Sequence, residues 1–421
     1  MDELNELPQG WKWVKLEDLA SQEDVAFKIG PFGSSLRKDE LINIGIPVFG
    51  IENILANKFY SKARRFISQN KFEELAAYKI QTNDILISTM GTIGRTAVIP
   101  ENIEKSIFDS HLLRIRVNQK EAYPFYISYV INGDDFKKQL AMKSSGAIMA
   151  GINTKIIKSC FVPLPPFPEQ QRLATLLTAK LSLIEQAKEK ITAQLQAAQE
   201  LTTAYLREVF ESEEAKGWEL VELKNENILI IDGDRGVNYP NERDFFIKEH
   251  CLFLNTKNVR QGFFSFEKTA FITKKKDSEL RQGKTKRNDL ILTTRGTVGN
   301  VALYDDNVSF EHIRINSGMV IIRTNNDFIN PRFLLLLFLS DFIKNQFIDS
   351  SSGSAQPQLP INVLKTIKIV RPSISKQEKI ISYLSEKLAT VEQLKTTLQT
   401  QLDSINQLPA ALLKQAFSGK L

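Results

Sequence analysis

The stretch NDILISTMGTIG at residues 83–94 returns almost unchanged as NDLILTTRGTVG at residues 288–299. Each copy is a short run rich in isoleucine and leucine that leads into two glycines, which predicts a buried β-strand followed by a tight turn. The copies begin 205 residues apart in a chain of 421 residues. A repeat at about half the chain length indicates that the protein consists of two related halves.

Further repeats extend this pattern to most of the chain. GWKWVKL at residue 10 matches GWELVEL at residue 217, EQQRLATLL at 169 matches KQEKIISYL at 376, and YLREVF at 205 matches LLKQAF at 412. In each half, short β-rich runs and glycine turns come first and a long helical pattern follows. The sequence therefore predicts an α/β domain at residues 1–167, a long helix at 168–216, a second α/β domain at 217–371 and a second long helix at 372–421.

The two helical segments begin at proline clusters and carry apolar residues at alternating spacings of four and three, which is typical of a coiled-coil seam. The predicted seam consists of Leu177, Leu181, Ile184, Lys188, Ile191 and Leu195 in the first helix and Leu384, Leu388, Val391, Lys395, Leu398 and Leu402 in the second. We expect the first helix to run from about Pro168 to Phe210 and to pair with the second in antiparallel fashion. The halves would then be related by a pseudo-twofold axis, with one globular domain at each end.

Two residues interrupt this seam pattern in informative ways. A lysine occupies the same position in both helices, where it either restricts the pairing register or extends its ammonium group to water. Pro409 lacks a backbone donor and is expected to kink or split the second helix.

Composition limits the kinds of function that fit. The net charge is +6, and the basic excess lies in the two globular segments, which favours a polyanionic partner such as DNA. Cys160 and Cys251 are too few and too distant for a disulfide framework, so we expect a cytoplasmic protein. The longest apolar run, FLLLLFL at residues 333–339, is too short to span a membrane.

Sequence motifs of catalysis are missing. The GKT at residues 283–285 lacks the glycine that a phosphate-binding loop needs, and NYPN at 238–241 lacks the second proline of an amino-methyltransferase tetrapeptide. His111, His250 and His312 are scattered, and no metal spacing or nucleophile with its base is recognisable. We therefore expect neither a catalytic site nor a metal site in this chain.

Basic side chains beside glycine and hydroxyl residues are the remaining candidates for function. Residues 260–287 carry nine Lys or Arg and three acids, which suits either phosphate contacts or a solvated hairpin. The loop KIGPFGSSLRK at 28–38 suits either close contact with a sugar-phosphate chain or an ordinary turn. The candidate DNA-binding residues are Ser34, Ser35, Arg37, Lys38, Arg64, Arg65, Thr92, Arg95, Lys274, Lys275, Lys276, Lys284, Arg287, Arg295 and Thr297.

The order of these parts resembles one known family. The phrases GWKWVKLEDL, KIGPFGSSL, GIPVFGIENI, NDILISTMGTIGR and PLPPFPEQQRLATLL, with LLKQAFSGKL at the end, are similar to those of specificity subunits of type I restriction-modification systems. The resemblance implies two target recognition domains that each read one half of a bipartite site in double-stranded DNA. It further implies paired helices that set the spacer and bind two modification subunits.

The resemblance also implies which cofactors and partners the complex has. Modification subunits would bind S-adenosylmethionine and methylate adenine, restriction subunits would use ATP and Mg²⁺, and this chain would bind no cofactor itself. Two other functions stay open at this point: a self-contained nuclease or DNA methyltransferase with an unrecognised site, and a coiled-coil scaffold for proteins. The repeated turn likewise has two interpretations, a structural strand-turn or a DNA-facing loop.

Overall fold

Two helices of 44 residues each, Phe167–Phe210 and Ile374–Phe417, are the longest elements of the computed structural model. The structure describes residues 6–22, 25–144, 153–351 and 358–421. These residues form two compact units, one from Met1–Ile191 with Gln401–Leu421 and the other from Thr192–Thr400. Each unit contains one globular domain and parts of both long helices.

The first domain is a mixed α/β structure followed by the first long helix, α5. Its elements are β1 Lys12–Lys15, β2 Phe27–Ile29, β3 Ile46–Phe49, β4 Ile54–Leu55, β5 Lys58–Phe59, β6 Phe66–Ile67, α1 Gln69–Glu74, β7 Ile85–Ser88, β8 Thr96–Val98, β9 Ile107–Phe108, β10 Leu112–Ile115, α2 Pro124–Asn132, α3 Asp134–Ser144, α4 Thr154–Lys158, β11 Phe161–Leu164 and α5 Phe167–Phe210. The main sheet has the order β2-β10-β7-β8, a second sheet has the order β6-β3-β9, and β1 pairs with β11 and β4 with β5.

The second domain repeats this order and ends in the second long helix, α11. Its elements are α6 Glu213–Lys216, β12 Glu219–Glu222, β13 Ile228–Asp232, β14 Cys251–Leu254, β15 Phe271–Ile272, α7 Lys274–Glu279, β16 Leu290–Thr293, β17 Val301–Leu303, β18 Ile313–Ile315, β19 Met319–Thr324, α8 Pro331–Leu339, α9 Asp341–Ser351, α10 Ile361–Leu364, β20 Lys368–Arg371 and α11 Ile374–Phe417. Its sheets have the orders β13-β19-β16-β17, β15-β14-β18 and β12-β20, which match those of the first domain. The internal repeat and the α/β class predicted from the sequence are confirmed.

The quoted repeat forms the central strands of the two main sheets. In β7, Ile85 and Ile87 join one buried cluster, whereas Leu86 between them joins another on the opposite face. Successive side chains of a strand point to opposite faces, so an unbroken apolar run fits a strand that is covered on both sides. Strand β16 does the same, since Leu290 and Leu292 share one cluster and Ile291 lies in another.

In the first unit, the start of α5 lies against the end of α11. Leu173 and Leu177 of α5 belong to the same buried cluster as Leu412 and Ala416 of α11. Apolar side chains from two helices and the domain therefore share one core.

In the second unit, the end of α5 lies beside the start of α11. Tyr383 Oη donates to Glu208 at 3.1 Å, and Lys376 Nζ lies 2.6 Å from Glu214 Oε1, just beyond the end of α5. From Glu208 to Glu214 along the chain, the contacted residue of α11 moves back from Tyr383 to Lys376. The two helices are therefore antiparallel, as predicted.

The predicted seam positions of the two long helices differ in burial. Leu177, Ile191, Leu384, Val391 and Leu398 are buried. The other predicted seam positions are half-buried: Leu181, Ile184, Lys188, Leu195, Leu388, Lys395 and Leu402. In the last turns of α5, Leu206 and Phe210 are buried because these side chains pack into the core of the second domain.

Lys395 bears on the two interpretations of the shared lysine position. Its ammonium group lies 3.4 Å from Glu392, one turn earlier on the same helix, and the side chain is 27% exposed. This geometry favours a lysine that extends its charge towards the helix surface.

Pro409 does not split the second helix, so that part of the sequence prediction is wrong. Helix α11 continues through Pro409 to Phe417. Proline removes one backbone hydrogen bond, but Leu412, Leu413 and Ala416 beyond it are buried in the core of the first unit. Packing of the last two turns therefore holds the helix together despite the lost bond.

Candidate nucleic-acid interface

Four loops of the first domain meet at one place, which we call its loop edge. They are residues 30–35 after β2, 50–53 after β3, 89–95 after β7 and 109–111 between β9 and β10. Thr89 joins two of them, because its backbone N and its Oγ1 each donate to the carbonyl of His111 at 2.9 Å. Asp109 N donates to Phe49 O at 2.8 Å and brings in a third loop. The loop edge is therefore held by backbone hydrogen bonds rather than by a hydrophobic core.

The second domain has an equivalent loop edge. It consists of residues 233–238, 255–258, 294–300 and 316–318. Thr294 N and Oγ1 donate to Gly318 O at 2.9 and 3.1 Å, which repeats the bonds of Thr89. Asn316 N donates to Leu254 O at 3.0 Å, which repeats the bond of Asp109. The two domains thus share one loop framework, which equivalent threonines and backbone hydrogen bonds build in each.

A glycine permits close contact between loops at each edge. A Cβ atom on Gly30 would lie 1.9 Å from the carbonyl oxygen of Asp109. A Cβ atom on Gly233 would lie 2.1 Å from the carbonyl oxygen of Asn316. Any larger residue would push the loops apart, so both edges require glycine here.

The repeated turn is fastened by a hydroxyl group. Ser88 Oγ accepts from the backbone N of Arg95 at 3.0 Å and donates to the carbonyl of Thr92. Thr293 makes the same hydrogen bonds in the second domain. These hydrogen bonds support the interpretation of the turn as a structural strand-turn, and the turn also leaves Thr92 and Thr297 exposed.

The first loop edge carries a network of opposite charges. Arg65 Nη2 lies 2.8 Å from Asp109 Oδ2 and 2.9 Å from Glu52 Oε1, and His111 Nδ1 lies 3.3 Å from Asp109 Oδ2. Burial alone would lower the pKa of Arg65, but Asp109 and Glu52 outweigh it and raise the pKa. Arg65 therefore neutralises carboxylates that would otherwise repel a phosphate chain, and His111 stays 47% exposed beside it.

The second loop edge carries arginines around a pocket of about 290 Å³ lined in part by Asp232, Arg235, Thr294 and Arg295. Arg235 Nη2 lies 3.0 Å from Asp232 Oδ2 and donates to Ser317 O at 3.3 Å. Arg295 is exposed, and its guanidinium has no hydrogen-bond or ion-pair partner among the described residues. The pocket thus contains Arg235, whose guanidinium is held by Asp232 and Ser317, and Arg295, whose guanidinium is free of such contacts among the described residues.

Of these loop-edge side chains, the sequence prediction named Arg295 but not Arg235 or His111. A signal for Arg235 was present: the glycines of KIGPFG at 28–33 recur with the same spacing in DGDRG at 232–236. His111 offered no sequence signal, because only the fold brings the β9–β10 turn beside Thr89.

Several basic residues of the run at 260–287 lie at the other end of the strands, whereas Arg281 reaches the loop edge, where its backbone N donates to Asp234 Oδ2 at 2.6 Å. Arg287 precedes β16 and Arg295 follows it, so a four-residue strand separates the two. Helix α7, which carries Lys274, Lys275 and Lys276, follows β15, and β15 is antiparallel to β14. These lysines therefore do not join Arg295 at the loop edge.

Three of the predicted basic residues hold the fold together. Lys276 Nζ lies 3.3 Å from Asp244, and Lys284 Nζ lies 2.6 Å from Asp277. Arg287 Nη1 donates to Val308 O at 2.8 Å, and its guanidinium lies 4.3 Å from the Tyr304 ring centroid. The side chains of Lys274 and Lys275 are exposed.

The predicted basic residues of the first domain also differ in their surroundings. Arg95 Nη1 donates to Ile54 O at 3.5 Å, which ties the repeated turn to β4. Ser34 and Ser35 lie exposed in a short 3-10 turn, Gly33–Ser35. Arg37 lies 3.6 Å from Asp39 yet stays 61% exposed. Arg64 and Lys38 are exposed.

The described residues contain neither a membrane-spanning helix nor a metal-binding group of side chains. No helix within these ranges is long and apolar enough to cross a lipid bilayer. Over the same residues, no three side chains of His, Cys, Asp or Glu are grouped so that they could hold a metal ion.

Comparison with known proteins identifies the family. The model of the type I restriction modification DNA specificity domain matches residues 8–197 and 253–404. The chain therefore belongs to the family of type I restriction-modification specificity subunits. Its role is DNA recognition, and the chain is a non-catalytic subunit, which confirms the resemblance drawn from the sequence.

Individual relatives match over nearly their whole length. The EcoBI specificity subunit of Escherichia coli is 21% identical and is matched over 99% of this chain and 88% of its own. The putative MjaX specificity subunit of Methanocaldococcus jannaschii is 23% identical, with 100% and 95% covered. A solved chain of a type I R-M system has a TM-score of 0.77 at 19% identity, covering 99% of this chain and 100% of its own, and so has the same fold.

Proposed function

We propose that this chain recognises a bipartite DNA site for a multisubunit methyltransferase and endonuclease. The domain at residues 1–167 reads one half of the site and the domain at 217–371 reads the other. The observation that carries this proposal is the loop edge, which is built twice on one framework and carries different side chains in each copy. Two linked readers make the second contact intramolecular, which raises the affinity for a site that has both halves.

The long helices, in segments 168–216 and 372–421, set the spacer and bind two modification subunits. Antiparallel contacts between α5 and α11 in each unit support a stiff connector. Exposed side chains along both helices, such as Leu183, Leu201 and Leu394, leave surface for partner proteins.

The loop edges supply the main DNA contacts. Thr92, Arg295 and Thr297 lie on the repeated turns, and Ser34, Ser35, Arg37 and Lys38 lie on or beside the loop after β2. Arg65 and Arg95 position these loops. Phosphate contacts outside the edges come from Arg64, Lys274 and Lys275. The second domain is instead stabilised by Lys276, Lys284 and Arg287.

The chain binds no cofactor of its own in this proposal. S-adenosylmethionine belongs to the modification subunits, and ATP and Mg²⁺ belong to the restriction subunits. We place the complex in the cytoplasm, with support from the free and buried thiols of Cys160 and Cys251.

The test is methylome sequencing of cells that carry the chain with its modification subunits. We expect one bipartite motif with a spacer of constant length. Exchange of residues 1–167 for the matching domain of a relative should change only one half of the motif. A change in both halves would contradict the assignment of one domain to each half.

Two further experiments probe the connector and the absence of catalysis. Insertion of one heptad into each long helix preserves the seam and adds about 10 Å, so the spacer should lengthen by roughly 3 base pairs.

The purified chain should show no turnover with Mg²⁺, S-adenosylmethionine and ATP. Turnover without partner proteins would support the alternative of a self-contained enzyme.

A further inference from the structure

Two pairs of equivalent loop-edge positions carry different chemistry in the two domains. Met90 and Arg295 occupy the same place in the repeated turn, and Phe32 and Arg235 occupy the same place in the loop after the first strand of the main sheet. Phe32 is 68% exposed and Met90 is 49% exposed. Both positions are thus apolar and open to solvent in one domain and arginine in the other.

The equivalence of Phe32 and Arg235 rests on geometry as well as on sequence. Each lies two residues after the glycine that packs against the next loop, Gly30 on Asp109 and Gly233 on Asn316. Because these close contacts match, the two side chains leave the edge from the same point of the framework.

The two arginines of the second domain converge on one site. Both line the pocket of about 290 Å³, and they reach neighbouring residues of the β18–β19 turn. Arg235 donates to Ser317 O, and Arg295 Cβ lies 3.8 Å from the point where a Cβ on Gly318 would stand. Asp232 holds the Arg235 guanidinium, and the Arg295 guanidinium is uncommitted among the described residues.

Arginine and exposed apolar side chains recognise different base pairs. An arginine can donate two hydrogen bonds to O6 and N7 of guanine in the major groove, whereas an apolar side chain contacts the methyl group of thymine. A phenylalanine or methionine has no donor for a phosphate, so a charge contact cannot explain Phe32 and Met90.

This inference rests on the proposed function. We propose that the side chains at the Phe32/Arg235 and Met90/Arg295 positions set the base composition of each half-site. Arg235 and Arg295 direct the second domain to a half-site with G·C pairs at the contacted positions. Phe32 and Met90 direct the first domain to a half-site with A·T pairs there.

The test compares the methylomes of cells that carry the modification subunits with the wild-type chain, Arg295→Met or Met90→Arg. Arg295→Met should relax one G·C position in one half-site, with a loss of discrimination of about 5- to 150-fold. Met90→Arg should replace an A·T preference at one position of the other half-site. Arg235→Met and Phe32→Arg should affect a second position in the same respective halves.

Matched controls lie at the opposite ends of the same strands. Lys286→Met and Thr82→Arg change exposed side chains before β16 and β7, and they should leave the motif unchanged. If Lys286→Met relaxed the same position as Arg295→Met, the proposal would be overturned.

Other outcomes separate this proposal from the proposed function. Uniformly weaker methylation with an unchanged motif would mean that Arg295 binds phosphate, and a relaxed position that was not G·C would also overturn the inference. Either result leaves the two-reader function intact. A wild-type motif without two halves would instead refute the function itself.

A variant that no longer methylates still permits a decision. The purified complex can be titrated with the wild-type duplex and with a duplex changed at the G·C pair. A ratio of affinities that falls about 5- to 150-fold in Arg295→Met supports the proposal, and an unchanged ratio overturns it.

Discussion

Arg172 Nη2 donates to the backbone oxygen of Leu421 at 2.8 Å, so the first turns of α5 hold residue 421. Nearby, a Cβ on Gly419 would lie 2.2 Å from Pro8 Cγ. In the repeat, residues 421 and 8 correspond to 214 and 215, which are consecutive. The first unit thus brings the segments at residues 419–421 and at Pro8 together, at a point where the second unit has consecutive residues.

This relationship predicts that a circular permutant folds. We expect Leu421 joined to Pro8 through a flexible linker of roughly four residues, with new ends at Lys216 and Gly217, to keep the wild-type melting temperature within a few degrees. Residues 216 and 217 are both exposed. Thermal unfolding followed by circular dichroism, and the methylome of cells carrying the permutant, are the measurements.

The control moves the new ends into β16, between Ile291 and Leu292, which are fully buried. That permutant should not fold. Aggregation of the first permutant, or a changed DNA motif, would show that the join between residues 421 and 8 cannot replace the junction at residues 214 and 215.

Asp277→Asn should destabilise the second domain by about 3–5 kcal/mol. Asp277 accepts from Arg314 Nε at 2.5 Å and from Lys284 Nζ at 2.6 Å, and both Asp277 and Arg314 are buried. Removal of one partner leaves a buried charge uncompensated. Urea unfolding of the full chain measures the loss, with Asp306→Asn as the control because Asp306 is fully exposed.

The same residue predicts a dependence of stability on pH. Burial would raise the pKa of Asp277, but hydrogen bonds and charges from Lys284 and Arg314 outweigh it, so the folded-state pKa lies below the usual value of about 3.9. The stabilisation is therefore complete above about pH 4 and is lost as the pH falls through the lowered pKa. Asp277→Asn should flatten this part of the acid unfolding curve, and identical curves would contradict the assignment.

Gly94→Ala and Gly299→Ala should each reduce the free energy of unfolding by about 1–2 kcal/mol. Their φ angles are +80° and +89°, a region that costs residues with a Cβ about this much. The new methyl groups would also lie 3.2 Å from Leu140 Cδ1 and 3.3 Å from Phe347 Cδ2.

Gly217→Ala is the matched control for these glycines. Gly217 has φ −85°, and its new Cβ would meet only Glu214 O, at 3.4 Å. This substitution should change stability by less than about 1 kcal/mol. If Gly217→Ala lost as much free energy of unfolding as Gly94→Ala, the positive φ angle would not explain the effect at Gly94.

Pro409→Ala should stabilise the chain by about 1–3 kcal/mol. Alanine restores the missing backbone donor inside α11 and removes the ring that crowds the preceding turn. The gain is smaller than the full proline penalty because proline also restricts the unfolded chain. The melting temperature is the measurement, and Ala410→Ser at the neighbouring exposed position is the control. A lower melting temperature would show that the helix depends on proline.

Some features followed directly from the sequence. The apolar runs of β7 and β16 predicted buried strands because a strand covered on both faces needs no polar positions. The long helices were predicted by spacing and proline clusters, and α5 begins at Phe167, one residue before the predicted start. The repeat predicted two domains of one fold, since both halves carry the same local signals in the same order.

Other features depended on the tertiary structure. Arg287 and Arg295 are eight positions apart and were both candidate DNA-binding residues, yet β16 places them at opposite ends of a strand. Pro409 lies inside a continuous helix, against the usual preference of proline, because the buried contacts of Leu412 and Ala416 outweigh one lost hydrogen bond. Local patterns report what a segment prefers, whereas the meeting of four distant loops is decided by strand order, which no single segment encodes. The sequence by itself therefore determined the repeat, its strands and its helices, and only the packed sheets decided that Arg235 and Arg295 share one pocket.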